Sequence, residues 1–316
     1  MSTARADIAA RQSAIRCWVC EGSQTYLVKK SNRASELSWR DFLITDMRYG
    51  VTGELVRCKS CGFLFCPELA DVDRFYEGLE DPGYEETRGE RLKQMRRVLD
   101  RAQKYLAGSR VLDVGAGAGI MVEAANERGL DAVGIEPSAW LAAVARERGL
   151  PVIHGFFPNR SVSGSYDLVT LVDVLEHVSH PVQMLRDIRA QLGPSGIVVV
   201  NTPDVSSVAA RLLGSKWWHF RTAHIGYFDR RTLEMACLRA GLRIVRLFRP
   251  SWYLDADYLW RRVVSYLPAR LALTPPSILK RITIPLNLRD SWMAILEKGV
   301  AEPEASVISG PQSSAR

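Results

Sequence analysis

Several features are missing from this sequence, and each absence narrows its reading. No apolar run follows the opening MSTARADIAARQSAIR, so a secretory signal peptide is not expected. No uninterrupted apolar stretch approaches the ~20 residues needed to span a bilayer. These two absences predict a cytoplasmic protein, with contact at the inner membrane surface as the only membrane role left open. No internal repeat is found. The charge is mild: a formal net +7 over 316 residues permits an acidic substrate, a nucleic acid or an anionic membrane without requiring any. There is no concentrated Lys/Arg stripe with interleaved aromatics, so a nucleic-acid partner is not expected. No G-K-[ST] follows the glycine-rich stretch, which argues against a P-loop.

What is present is enough apolar content, 47%, to bury a sizeable core in one large domain or two modest ones. Cysteines are concentrated near the N-terminus. Cys17-x-x-Cys20 and Cys58-x-x-Cys61 form two pairs, Cys66 is a spare, and Cys237 stands alone in a helical pattern. In a cytoplasmic chain such pairs point to metal before disulfide, and their spacing predicts a four-thiolate structural zinc site. The 37 residues between Cys20 and Cys58 exceed the commonest spacing, so a β-rich excursion is expected there.

From Arg110 the pattern alternates between strands and helices. RVLDVG, DAVGIE, LPVIHG, YDLVTLVDV, GIVVVNTP, LRIVRLFRP and SWMAILEKG read as strands. Helices fall between the earlier ones, with Ser138 as an N-cap and Pro181 in a first turn. This alternation predicts an α/β fold with a doubly wound, mostly parallel sheet, and a ligand at the carboxyl ends of its strands.

The stretch RVLDVGAGAGIMVEA asks what that ligand is. Glycines stand at 115, 117 and 119, and position 120 is Ile, so the third glycine falls one residue early for a dinucleotide fingerprint. Asp113 lies two residues before the first glycine. An acid there is poor company for a pyrophosphate and good company for an ammonium group. Glu136 ends the next strand, where a carboxylate can accept bonds from two ribose hydroxyls. S-adenosyl-L-methionine satisfies both conditions. Asp173, Glu176 and His177 follow at the mouth of the fourth strand, where a histidine suits the task of taking a proton from an acceptor hydroxyl. The bland alternative is that Glu176 and His177 merely fix the loop.

On these residues the sequence resembles the class I S-adenosylmethionine-dependent methyltransferases. YDLVTLVDVLEHVSHP and LGPSGIVVVNTPD are similar to segments of the ubiquinone-biosynthesis-like O-methyltransferases, and KWWHFRTAHIGYFDRRTLEMACLRAGLRIV resembles a later block of that family. The resemblance covers about residues 55 to 250. It implies the seven-stranded class I sheet, S-adenosyl-L-methionine as cofactor, Gly155 and Phe156 bordering the adenine, and Asp173 beside the cofactor. It also places His224 over the acceptor pocket as a second candidate base, while His219 reads as a surface or packing residue. A catalytic metal is not expected.

The expected organisation is a leader at 1–16, a zinc-ribbon-like module at 17–70, a helical linker at 71–108 and a methyltransferase core at 109–250. A segment at 251–300 holds a lid or membrane-surface helix and the final strand, and 301–316 reads as a disordered tail. In the helix, Leu259, Val263 and Tyr266 share one face, with Trp260, Val264 and Leu267 beside them. The acceptor is expected to be a small molecule, a glycan or a lipid-linked precursor, methylated at oxygen. An RNA methyltransferase and a non-catalytic zinc-dependent binding module are the alternatives. Against the first, the fourth strand lacks an N-P-P-Y motif and no Pro-Cys nucleophile pair occurs.

Overall fold

A computed structural model of the chain describes residues 15–33, 36–264 and 275–299. The expected tail, most of the expected leader, and Tyr266 and Leu267 of the expected helical face lie outside the described residues.

In chain order the strands are β1 (Thr25–Lys29), β2 (Leu55–Cys58), β3 (Leu64–Phe65), β4 (Arg110–Val114), β5 (Asp131–Glu136), β6 (Val152–His154), β7 (Tyr166–Val172), β8 (Leu192–Pro203), β9 (Gly226–Tyr227), β10 (Leu242–Phe248), β11 (Trp252–Asp255), β12 (Thr283–Leu286) and β13 (Ser291–Lys298). The α-helices are α1 (Asp73–Glu77), α2 (Pro82–Glu86), α3 (Arg88–Ala102), α4 (Ile120–Asn126), α5 (Ala139–Glu147), α6 (Pro181–Gln191), α7 (Val208–Leu213), α8 (Arg230–Arg239) and α9 (Ala256–Val264).

Seven strands form the central sheet in the order β10-β13-β8-β7-β4-β5-β6. The run β8-β7-β4-β5-β6 is parallel, and β13 inserts antiparallel between β8 and β10. This is the mostly parallel seven-stranded class I sheet that the resemblance implies. β4 and β7 are apolar without alternation because helices cover both faces of the sheet. The order reverses between β4 and β7, and the crevice outside their carboxyl ends is where such a sheet receives a ligand. Helix starts follow local chemistry: the Ser138 hydroxyl accepts the Leu141 N–H at 3.0 Å, and Pro181 opens α6.

A second sheet has the order β1-β2-β3-β9. Its first three strands come from the N-terminal cysteine region, but β9 comes from the segment after His224. Leu64 pairs with Tyr227 and Phe65 with Gly226, and the Cys66 N–H reaches the Ile225 carbonyl at 2.8 Å. The apolar core is continuous across the join, with Cys17, Cys58, Phe63 and Phe65 in one cluster with Val114, Leu171 and Val200 of the central sheet. Packing therefore does not break at residue 70.

Residues 71–108, expected as a helical linker, pack against the core. Met95, Val98 and Leu99 of α3 belong to the buried core beside α4. Lys93 Nζ and Glu90 Oε1 bond the Thr283 hydroxyl of β12 at 2.8 and 2.9 Å, and Arg97 Nε meets the Tyr253 hydroxyl of β11 at 3.1 Å. β11 and β12 form an antiparallel hairpin, and α9 follows β11. The side of α9 turned to the protein carries Ala256, Asp257, Tyr258 and Arg262. Of the expected apolar face, Val263 is exposed and Leu259 is partly buried. Among the described residues, no helix is long and apolar enough to cross a membrane.

Candidate active site and zinc centre

The glycine loop leaves β4 through left-handed backbone, with φ of +72° at Gly115, +54° at Gly117 and +75° at Gly119. At Gly117 a Cβ would come within 2.8 Å of the Tyr84 hydroxyl, so only glycine lets the loop lie against that ring. At Gly119 a Cβ would meet Leu150 at 2.9 Å and Ala145 at 3.2 Å. Gly119 thus serves the packing of α4 on its neighbours and does not line the cavity, contrary to its expected place among the cofactor contacts.

The loop borders a cavity of about 270 Å³ at the carboxyl ends of β4, β5 and β7. Asp113, Gly115, Gly117, Glu136, Asp173, Glu176, His177 and His224, all expected from the sequence, line it together. Gly155 and Phe156 do not; the Gly155 N–H is held by the Glu136 carbonyl at 2.9 Å, on the far side of β5's end.

Glu136 is held by backbone. Its Oε2 accepts the Gly117 N–H at 2.7 Å and its Oε1 accepts the Ser138 N–H at 2.8 Å. Each oxygen keeps further acceptor capacity, which suits a vicinal diol. Burial pushes the Glu136 carboxyl up to about 7, against the two backbone N–H bonds that favour the charged form. Asp113 accepts the Thr170 hydroxyl at 2.6 Å, and burial, with Glu136 adding to it, likewise pushes its carboxyl up to about 7. Two buried carboxyls thus face one cavity without a basic residue paired to either in an ion pair among the described residues. That favours a cationic ligand, which lowers both.

Asp173 sits at φ +55°, a left-handed conformation that aspartate tolerates better than most residues. It accepts the Asn201 amide at 2.9 Å, so its carboxylate faces the end of β8. Glu176, His177 and His224 come closer together: one side-chain atom of each lies within 4.8 Å of the others. Burial drives all three toward neutrality, raising Glu176 well above its usual range, taking His177 down to about 3 and placing His224 well below its usual value. His177 Nδ1 lies 2.8 Å from both the Tyr76 hydroxyl and the Ala223 carbonyl, and the Ile225 N–H bonds the Glu176 carbonyl at 2.9 Å. The cluster therefore also fastens the 217–225 segment to the end of β7.

Several lining residues had no motif to announce them. Arg91 reaches in from α3, with its guanidinium 4.1 Å from the Tyr84 ring centroid. Phe42, Trp218, Tyr258 and Arg262 line the outer part. His219 is not a surface residue. It lines the cavity, and its Nε2 lies 3.4 Å from Asp290 Oδ2, in the short link before β13.

The four paired cysteines converge on their own centre, all four sulfurs lying within 4.8 Å of one another. The Cys17–Cys61 and Cys20–Cys58 sulfurs are 3.5 Å apart, too far for a disulfide. A tetrahedral zinc with bonds of about 2.3 Å spaces its sulfurs about 3.8 Å apart, so the cluster fits that ion. Both turns have the same build: the Cys17 N–H bonds the Gly22 carbonyl and the Glu21 N–H returns to Cys17, and the same bonds join Cys58 to Phe63 and Gly62 to Cys58. The fourth residue after the first cysteine is left-handed in each, Glu21 at +63° and Gly62 at +83°. Thiols this close resist joint ionisation, since each thiolate raises its neighbours, and a bound dication relieves that repulsion.

Residues 84–247, just over half of the chain, match the methyltransferase-domain family. The chain belongs to this family. A 105-residue stretch is 37% identical to the ubiquinone biosynthesis O-methyltransferase of Bordetella avium, covering 31% of this chain and 44% of that protein. A 122-residue stretch is 30% identical to the mitochondrial ubiquinone biosynthesis O-methyltransferase of Schizosaccharomyces pombe, covering 36% of this chain and 44% of that one. The chain thus matches less than half the length of these relatives. In fold it is similar to a chain of the complex between the Haloferax volcanii Trm112 methyltransferase activator and a methyltransferase. That likeness has a TM-score of 0.50 and 16% identity, over 70% of this chain and 97% of the other.

Proposed function

We propose that this protein transfers a methyl group from S-adenosyl-L-methionine to a hydroxyl oxygen of a small molecule carrying a planar, hydroxylated ring. The observation that carries the reading is the pair of buried carboxylates, Asp113 and Glu136, flanking a glycine loop at the switch point of a class I sheet. In this reading Glu136 receives both ribose hydroxyls, Asp113 faces the ammonium, and Arg91 is the cation that meets the ligand's carboxylate. The sulfonium supplies an activated methyl group, and the chain's own residues align the acceptor and exclude water. The names of the relatives support oxygen as the atom methylated. The walls of Phe42, Tyr84, Trp218 and Tyr258 support a flat acceptor, with the β11–β12 hairpin and α9 as its lid. A structural zinc at Cys17, Cys20, Cys58 and Cys61 completes the proposal. The test is incubation of the full chain with methyl-labelled cofactor and catechol. Monomethylated catechol is expected, and an unlabelled acceptor pool with a fully bound cofactor would refute the acceptor class.

A pH dependence follows from the two raised carboxyls. Burial pushes both up to about 7; Asp113 must ionise to meet the ammonium and Glu136 to accept from both ribose hydroxyls, so cofactor affinity should weaken on acidification below that value. The expected fall approaches tenfold per pH unit for each proton released. The sign for stability is opposite in the ligand-free protein. The contribution of these groups is fully present below about pH 4, their unfolded range, and is lost as pH rises through about 7. Calorimetric titration with S-adenosylhomocysteine between about pH 5.5 and 8.5 measures the effect. An affinity flat across that range would contradict it.

A further inference from the structure

Three histidines line the cavity, and their surroundings divide them. His177 has its Nδ1 engaged with Tyr76 and the Ala223 carbonyl. His224 has a buried Nδ1 with no hydrogen-bond partner, and it faces Glu176, which burial keeps neutral. Neither has an anion beside it to stabilise an imidazolium. His219 does. Its Nε2 is 3.4 Å from Asp290 Oδ2, and among the described residues it is the histidine within ion-pair distance of a carboxylate.

That carboxylate is itself fixed. Asp290 is 4% exposed, and its Oδ2 also accepts the Trp218 indole N–H at 2.9 Å. Burial pushes the Asp290 carboxyl up, but the bonds from His219 and Trp218 outweigh it and hold the group below its ordinary value. The His219 ring is held on both sides, edge-on to Trp217 with centroids 4.9 Å apart and stacked on His224 at 5.6 Å. The ion-pair distance to Asp290 fits the Nε2–H tautomer, which leaves the imidazole lone pair on Nδ1 to accept a proton. The side chain keeps 19% of its surface open while lining the cavity.

We infer that His219 is the base that takes the proton from the acceptor hydroxyl, and that Asp290 is its positioning residue. The inference rests on the methyl-transfer reading above. As the acceptor oxygen forms its bond to the methyl carbon, its O–H proton passes to His219 Nδ1. The carbon–sulfur bond breaks with its electron pair left on sulfur, and the imidazolium is stabilised by Asp290. The other charged or titratable groups facing His219 are His224, Arg221 and Arg262. Burial, with the two arginines adding to it, holds the His219 imidazolium below its ordinary value, and the Asp290 carboxylate offsets part of that. The pairing was invisible in the sequence because 71 positions separate the two residues.

The test uses the full chain with S-adenosylmethionine and catechol. His219→Gln should lower methyl transfer by about 10²- to 10⁴-fold near neutral pH. Affinity for S-adenosylhomocysteine should stay within about threefold of wild type, which also shows that the variant folds. The loss should shrink as pH rises, because the acceptor then arrives ionised; a purely structural loss would not. Asp290→Asn should move the acidic limb of the pH profile downward, and Asp290→Glu should restore part of the rate. With only five histidines in the chain, ¹⁵N spectra resolve the His219 ring, and its titration should shift in Asp290→Asn. Turnover within about threefold of wild type in His219→Gln, or an unmoved His219 titration in Asp290→Asn, overturns the proposal. If the wild type binds S-adenosylhomocysteine but does not methylate catechol, the acceptor reading falls and this proposal with it. If it binds no S-adenosylhomocysteine, the cofactor reading itself falls.

Discussion

Replacing Glu136 by alanine is expected to weaken binding of S-adenosylhomocysteine by at least roughly 100-fold, from two lost charge-assisted bonds at about 1.5 kcal/mol each. The loss does not stop at the ligand. The Gly117 and Ser138 N–H groups both end on this carboxylate, so its removal leaves two buried donors unpaired and frees the glycine loop. Glu136→Gln keeps an acceptor and the shape, and should fall between wild type and alanine. Calorimetry on all three proteins checks this order. An alanine variant with wild-type affinity would remove Glu136 from the site.

The second large effect concerns the sulfur centre. A Cys58→Ser/Cys61→Ser variant should lose its metal, from about one zinc per chain to none. Structural zinc contributes on the order of 10 kcal/mol in small domains, comparable to the whole stability of an ordinary protein. Here the knuckles are not at the end of a tether. Cys17, Cys58 and Cys61 are buried in the same apolar cluster as the central sheet, and β3 hands its pairing on to β9. The same segment carries His219 and His224. Metal loss should therefore lower the melting temperature by about 10 °C or more and reduce methyl transfer. Elemental analysis and thermal melts of wild type and variant test this. A metal-free wild type with an unchanged melt in the variant would exclude a structural metal.

The parts of this molecule that were legible in the sequence are those whose residues are close in the chain. Apolar runs ending in Asp113 and Glu136 announce strand ends, because a strand buried on both faces has no polar residue until its ligand-facing tip. The cysteine pairs announce themselves through the short turn that aims two sulfurs at one point. The parts that were not legible depend on contacts across the fold. β3 and β9 are two residues each, too short for any periodicity to show, yet they join the cysteine region to the core. The helices α1 and α2 are five residues each and carry no amphipathic signal, although Tyr76 and Tyr84 come from them. Asp290 is a single acid before a strand, and nothing in its neighbourhood points to His219. The cavity-facing side of α9 was not legible either: Tyr258 and Arg262 turn toward the cavity, with the Arg262 guanidinium near the rings of Tyr49, Trp218 and Tyr258.

A crystal structure with bound S-adenosylhomocysteine would decide whether the cavity between β4, β5 and β7 holds the cofactor. Both ribose hydroxyls are expected within hydrogen-bonding distance of the Glu136 carboxylate, and the ammonium group on the Asp113 side of the glycine loop. Ligand density anywhere else, or ribose hydroxyls turned away from Glu136, would contradict this placement.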